Sequence, residues 1–174
     1  NPAKIQVNAV EAAIHAGVVH YLALGDRHSL TEIGDTERIW YSGTPEPTDF
    51  DEVDPGKVLV VKLDGGSCSV EPVQVGRWRF VDQSFEINGS EDLQVLESWF
   101  NDQSPKDRTV VRLALTGTVS IAQRAQLDAV LAQFGDLFAS IQTWDRRTDL
   151  AVVPEDNDFS DLSLSGFASA SVDE

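Results

Sequence analysis

The stretch TVVRLALTGTVSIAQRAQLDAVLAQFG, residues 109–135, changes its hydrophobic period partway through. TVVRLAL (109–115) is β-branched and apolar, as in a strand. Ser120 followed by Gln123 is a capping-box pattern. Leu127, Val130, Leu131 and Phe134 then recur at helical spacing, and Gly135 marks the end. A strand feeding directly into a capped helix indicates a mixed α/β architecture.

The same alternation extends to both sides. RWRFVDQSFEI (77–87) reads as a strand, with Trp78, Phe80 and Val81 as core candidates. Ser90 is placed to cap a helix in which Leu93, Leu96, Trp99 and Phe100 form one apolar stripe, and Pro105 ends that segment. SIQTWDR (140–146) reads as a third strand. The order β-α-β-α-β defines a small module over residues 77–147, with a boundary near Gly76. Residues 148–174 form an acidic tail, expected to be irregular from Asp149 onward, in which Leu150, Val152, Val153, Leu162, Leu164 and Phe167 are scattered.

Residues 1–76 have a different composition of elements. Val7, Val10, Ala13 and Ile14 predict a helix over 5–16, stopped by Gly17. VVHYLAL (18–24) is a continuous apolar run, expected to be a strand buried on both faces. RIWY (38–41) is a second short strand, ended by SGTPEPTDF, where glycine and two prolines forbid regular structure. KVLVVKL (57–63) and SVEPVQV (69–75) flank Asp64-Gly65-Gly66-Ser67, which predicts a hairpin, and Pro72 assigns its second strand to an edge.

Composition limits the functional classes. At 174 residues, 41% hydrophobic and 24% charged, the chain can bury a core. No run approaches the roughly 20 apolar residues of a membrane span, and a single cysteine, Cys68, excludes an internal disulfide framework. A cytoplasmic location is the expectation. The net charge of −16 is shared nearly evenly across Gly76 and repels phosphate backbones at long range. Binding of nucleic acid would need a local patch or a bound cation.

The chemistry concentrates in YLALGDRHS, residues 21–29. Asp26 and His28 stand two apart, so in extended or turn geometry a carboxylate and an imidazole project to the same side while Arg27 turns away. Both are metal-ligating types, at the end of a predicted buried strand, where α/β folds place ligands. A polar turn alone would also account for the pattern.

The order of segments adds more. LGDRHS, then IWYSGTPEPTDFDE (39–52), then a hairpin, then a small α/β module, resembles the C-terminal part of calcineurin-like metallophosphoesterases of the SbcD-type DNA repair exonuclease group. That family runs ALGHxH, a strand, YxGSPxPxxFxE, a hairpin and a capping domain. Tyr41, Gly43, Thr44, Pro45, Pro47, Phe50 and Glu52 stand at the matching positions. The resemblance covers residues 1–147, and its specific motifs lie in 21–52. It implies a β-sandwich core whose C-terminal portion is residues 1–76, followed by the α/β cap. It also implies two divalent metal ions, usually Mn²⁺, that activate water and neutralise a phosphodiester. The implied partners are DNA, an SbcC-like SMC-type ATPase and the remaining N-terminal part of the metallophosphoesterase domain. His28 matches the second histidine of GHxH and carries over as a metal ligand. Asp26 replaces the first, and three roles are open to it: an oxygen ligand, a holder of metal-bound water, or the mark of a lost metal.

The family's upstream motifs have no counterpart here, and His15 and His20 do not replace them. The chain is therefore expected to be the C-terminal portion of a longer metal-dependent exonuclease or phosphodiesterase and inactive alone. A non-catalytic interaction module with a degraded metal site, or a phosphoesterase for small phosphates, are the alternatives. Cys68 reads as a packed thiol, and Ser42 and Thr44 as parts of a tight backbone path. Trp40, Trp78, Trp99 and Trp144 read as core. Arg77, Arg79, Arg108, Arg112, Arg146 and Arg147 are the residues from which a DNA-facing strip could be built.

Overall fold

The computed structural model describes residues 5–154. The chain is mixed α/β, of the α+β kind, in the order α1 (Val7–His15), β1 (Leu22–Leu24), β2 (Thr31–Glu32), β3 (Ile39–Tyr41), β4 (Lys57–Asp64), β5 (Ser67–Gln74), β6 (Arg79–Ile87), α2 (Ser90–Asp102), β7 (Thr109–Ser120), α3 (Ile121–Gly135), β8 (Ser140–Thr143) and β9 (Asp149–Val153). It divides into two compact units: Asn1–Asp82 with Pro105–Val111, and Gln83–Ser104 with Arg112–Glu174. Among the described residues no helix is long and apolar enough to cross a membrane.

In the first unit β3 is the centre of a three-stranded sheet. β1 runs parallel to it, with Leu22 opposite Ile39 and Leu24 opposite Tyr41, and β2 runs antiparallel. Ile39 is fully buried, and Ile14 is the buried residue of α1. The strand expected over 18–24 shrinks to three residues. The hydrogen bonds that close α1 explain this. The amides of Val18 and Val19 both donate to Ala13 O, which keeps the chain turned beyond the helix end and leaves Val18 exposed. β4 and β5 form the expected hairpin, in register from Lys57–Gln74 to Asp64–Ser67. Gly65 and Gly66 both take positive φ, 53° and 92°, which glycine adopts without Cβ strain and which suits a two-residue hairpin turn. Pro72 lies on a strand with one neighbour only, so its missing N–H costs no ladder bond.

The second unit is built on the sheet β6-β7-β8, with β9 parallel to the last part of β7, Thr116 opposite Asp149 and Ser120 opposite Val153. β9 replaces the irregular start expected for the tail; its pairing supplies backbone partners that an acidic composition does not reveal. Leu162, Leu164 and Phe167 lie outside the described residues. β7 is buried on both faces through Leu113, Ala114 and Leu115. α2 contributes Leu93, Leu96 and Phe100, α3 contributes Leu127 and Phe134, and all five are buried. Phe100 stacks on Phe134 at 4.8 Å between ring centres and meets Phe138 edge-on at 5.5 Å.

Two local expectations need correction. The first residue of α2 is Ser90, and the cap is Gly89, without a side-chain bond; Asp92 Oδ2 instead accepts from the Asn88 amide at 2.8 Å. Trp78 precedes β6 and is 43% exposed, so it is not a core residue. The Ser120–Gln123 capping box is present in both directions, the side chains accepting at 3.2 and 2.8 Å.

Truncating Phe100 would open a cavity between α2 and α3, beside Phe134 and Phe138. Phe100→Ala should lower the unfolding free energy by about 3–5 kcal/mol, read as a fall in the urea midpoint. Ser120→Ala should cost about 1 kcal/mol. Equal midpoints for Phe100→Ala and wild type would show that this aromatic cluster does not hold the unit.

Candidate metal-binding loops

The candidate site lies in the first unit, where the loop after β1 meets the loop after β3. Asp26 sits at φ 82°, the left-handed region in which aspartate is among the tolerated residues, and its side chain is solvent-exposed. Arg27 turns away and lies over the Tyr41 ring, 5.1 Å from its centre. His28 is 56% exposed at its side chain. Arg27 is thereby drawn toward the end of β3.

The second loop is fastened beneath the first. The Thr44 amide donates to His28 O at 3.0 Å, and the Val53 amide donates to Ser29 Oγ at 2.9 Å. Gly43 has φ 75°, and a Cβ there would stand 2.7 Å from His28 O, so a side chain would separate the loops. Ser42 and Thr44 therefore belong to a tight backbone path. Phe50 meets Phe80 edge-on at 5.0 Å, which anchors the far end of the loop.

His28 is held from behind. Its Nδ1 lies 2.9 Å from Glu52 Oε1 and 2.8 Å from Thr48 Oγ1. Thr48 donates its hydroxyl to Glu52 Oε1 at 2.5 Å and its amide to Glu52 Oε2 at 2.9 Å. With both oxygens acting as acceptors, the consistent arrangement has His28 Nδ1–H donating and the Nε2 lone pair turned outward. The Glu52 side chain is only 5% exposed. Burial opposes its ionisation, but the hydrogen bonds from the Thr48 side chain and amide, from His28 and from the Asp49 amide outweigh it, and they hold the carboxyl below the usual range.

The site can therefore offer one imidazole nitrogen, with a carboxylate behind it in the arrangement that orients metal-bound histidines, and one free carboxylate two residues away. The carboxylate oxygen suits Mn²⁺ or Mg²⁺, whereas an imidazole nitrogen suits Zn²⁺, iron or nickel. Among the described residues no three His, Cys, Asp or Glu side chains gather into a metal-holding group. Asp26 and His28 would therefore need donors from elsewhere to complete a coordination sphere.

Glu52 matches the family pattern by position, but its contact with His28, 24 residues away, has no signal in local spacing. Glu46 carries no sequence signal at all. Its Oε2 accepts from the Arg77 and Trp78 amides at 2.8 and 3.0 Å and fixes the chain where it leaves the hairpin. Cys68 is a half-buried free thiol opposite Leu63. Trp40 is half-buried and bonds Glu37 O, and Trp99 packs against Phe85 and Phe100. The six arginines fall three to each unit: Arg77, Arg79 and Arg108 in the first, Arg112, Arg146 and Arg147 in the second. In the second unit Trp144 is covered by Arg112 at 4.0 Å and Arg147 at 4.4 Å, so it serves as a cation–π platform rather than a core residue.

No protein-family model matches this chain, and no curated protein matches it at a significant level.

Because hydrogen bonds hold the folded carboxyl of Glu52 below the usual carboxylate range, its contribution to stability is complete well above that range. It disappears as the pH falls through the lower folded value. Glu52→Gln should therefore lose about 1–3 kcal/mol relative to wild type at neutral pH, and the gap should close in acid. Urea unfolding of both proteins over the acid range checks this, and a gap that is constant with pH would show that the carboxylate charge is not what holds the loops.

Proposed function

We propose that this chain is the C-terminal part of a metal-dependent phosphodiesterase of the DNA repair exonuclease type, with the second unit as its α/β cap. One observation carries the reading. The two segments that resemble the family, 21–29 and 39–52, meet through His28, Thr48 and Glu52, and the contact leaves His28 Nε2 directed outward for a cation.

His28 and Asp26 would hold metal, together with ligands from the N-terminal part of the same domain. A bound pair of Mn²⁺ ions supplies an activated water and neutralises the phosphodiester. The chain's own residues act around that chemistry. Glu52, ionised by its hydrogen bonds, keeps the His28 ring in one tautomer and one orientation and raises its basicity as a ligand. Arg27 is held against the Tyr41 ring. Gly43 keeps the two loops in contact. DNA and an SMC-type ATPase are the partners of this reading, and the arginine–tryptophan stack of the second unit offers two guanidinium groups for a phosphate backbone.

A second reading, a non-catalytic interaction module, is favoured by Asp26 itself. It stands where the family's pattern has a histidine, a departure expected if the site had lost a metal.

Metal binding separates the two. Mn²⁺ binding to the complete protein should weaken in Glu52→Gln by about 10–100-fold, the usual effect of removing the group behind a metal-bound histidine. His28→Ala should abolish Mn²⁺-dependent cleavage of DNA ends by that protein. Unchanged Mn²⁺ affinity in both variants, or no Mn²⁺ binding by the wild type, would remove the enzyme reading.

A further inference from the structure

On another side of the first unit, the end of α1, the approach to β1, the turn between β2 and β3 and the tip of the β4–β5 hairpin line a cavity of about 520 Å³. Neither Asp26 nor His28 belongs to its wall. Four hydrogen-bonding side chains of the wall have capacity to spare. Thr36 Oγ1 is shut off from solvent and has no hydrogen-bond partner among the described residues. A buried hydroxyl in that state costs about 1–3 kcal/mol until something bonds it. Arg38 uses one Nη2–H to donate to Gly66 O at 2.9 Å, which fixes its guanidinium at the hairpin tip and leaves its other N–H groups unused among the described residues. The rings of His15 and His20 also line the cavity, and neither has a hydrogen-bond partner among the described residues.

One group on the wall has the opposite character. The Asp35 amide donates to Glu11 Oε1 at 2.7 Å, which fixes the turn, while its carboxylate stays available as an acceptor. A fixed cation, a hydroxyl and two imidazoles favour an oxyanion, whereas a carboxylate repels one that has no proton to give. A partly protonated phosphate satisfies both demands, since its bare oxygens accept from Arg38 and Thr36 and its O–H donates to Asp35.

We propose that this cavity binds the phosphate group of a small molecule, with Arg38 as the charged anchor, His15 and His20 as donors, Thr36 as a further donor once its hydroxyl turns about χ1 from its buried position into the cavity, and Asp35 selecting an oxyanion that carries a proton. Inorganic phosphate and a phosphate monoester share this chemistry. The site is independent of the metal loops, and its failure or success leaves the proposed phosphodiesterase untouched.

Titrating the 174-residue chain with inorganic phosphate, in the presence of a chelator and followed by proton NMR of the three histidine rings, tests it. Saturable shifts of His15 and His20 without a shift of His28 are expected. Arg38→Gln should weaken binding at least about tenfold, the loss of one charge-assisted contact, and Thr36→Val, which keeps the side-chain shape, should weaken it about threefold to tenfold. Sulfate and acetate, which bring no proton at neutral pH, should bind more weakly than phosphate, and glycerol phosphate at least as well as inorganic phosphate if a monoester is the natural occupant. Shifts confined to His28, unchanged affinity in Thr36→Val, or sulfate binding as tightly as phosphate would each overturn the assignment.

Discussion

The Glu52 carboxylate is the acceptor on which the first unit's loops depend. It is almost wholly withdrawn from water, and a carboxylate in that position is tolerable only when donors replace its hydration. The donors come from Thr48, which turns the chain, and from His28, which belongs to the other loop. Glu46 repeats the device a few residues earlier by accepting two consecutive amides at the hairpin exit. Neither carboxylate has a lysine or arginine partner among the described residues. In a chain of net charge −16, at least these two acids are consumed as brackets between loops rather than solvated at the surface.

That economy explains which parts of the fold are legible in the sequence. The hairpin and α3 read well because their determinants are adjacent: Gly65-Gly66 between two β-rich runs, and Ser120 with Gln123 at the head of an apolar stripe. β9 escapes such a reading because DLAVV gains strand identity only from β7, a partner far earlier in the chain. The length of β1 is hidden for a related reason. VVHYLAL is apolar enough for a long strand, but the first part of it completes the turn after α1 and only Leu22–Leu24 finds a partner in β3. At α2 the preference of serine for a cap is overridden by Asp92, which bonds the Asn88 amide from inside the first turn.

The site is legible to a lesser degree. The spacing of Asp26 and His28 marks the loop in the sequence, but with Asp26 at φ 82° the chain is not extended there, and alternation does not set where its side chain points. The group that orients His28 does not follow from the local chain, since Glu52 is brought to it by a turn at Thr48 and by a backbone contact that only Gly43 permits. Trp144 shows the converse error. Its apolar ring suggests core, yet its neighbours in space are two arginines, which an aromatic face attracts as readily as it attracts leucine.

The presence of aspartate at position 26 can be argued one step further. A left-handed φ of 82° is accessible to histidine as well as to aspartate, so the backbone alone does not account for the exchange relative to the family it resembles. The difference must lie in the side chain's chemistry. A histidine there would offer a neutral nitrogen; Asp26 offers a charged oxygen in a loop already backed by ionised Glu52. In the proposed enzyme the two negative charges would balance one divalent cation, which would favour capture of the metal but leave that cation little net charge with which to attract a phosphodiester. Substrate attraction would then fall to the second metal and to cationic surfaces elsewhere, and the arginines around Trp144 gain importance in proportion.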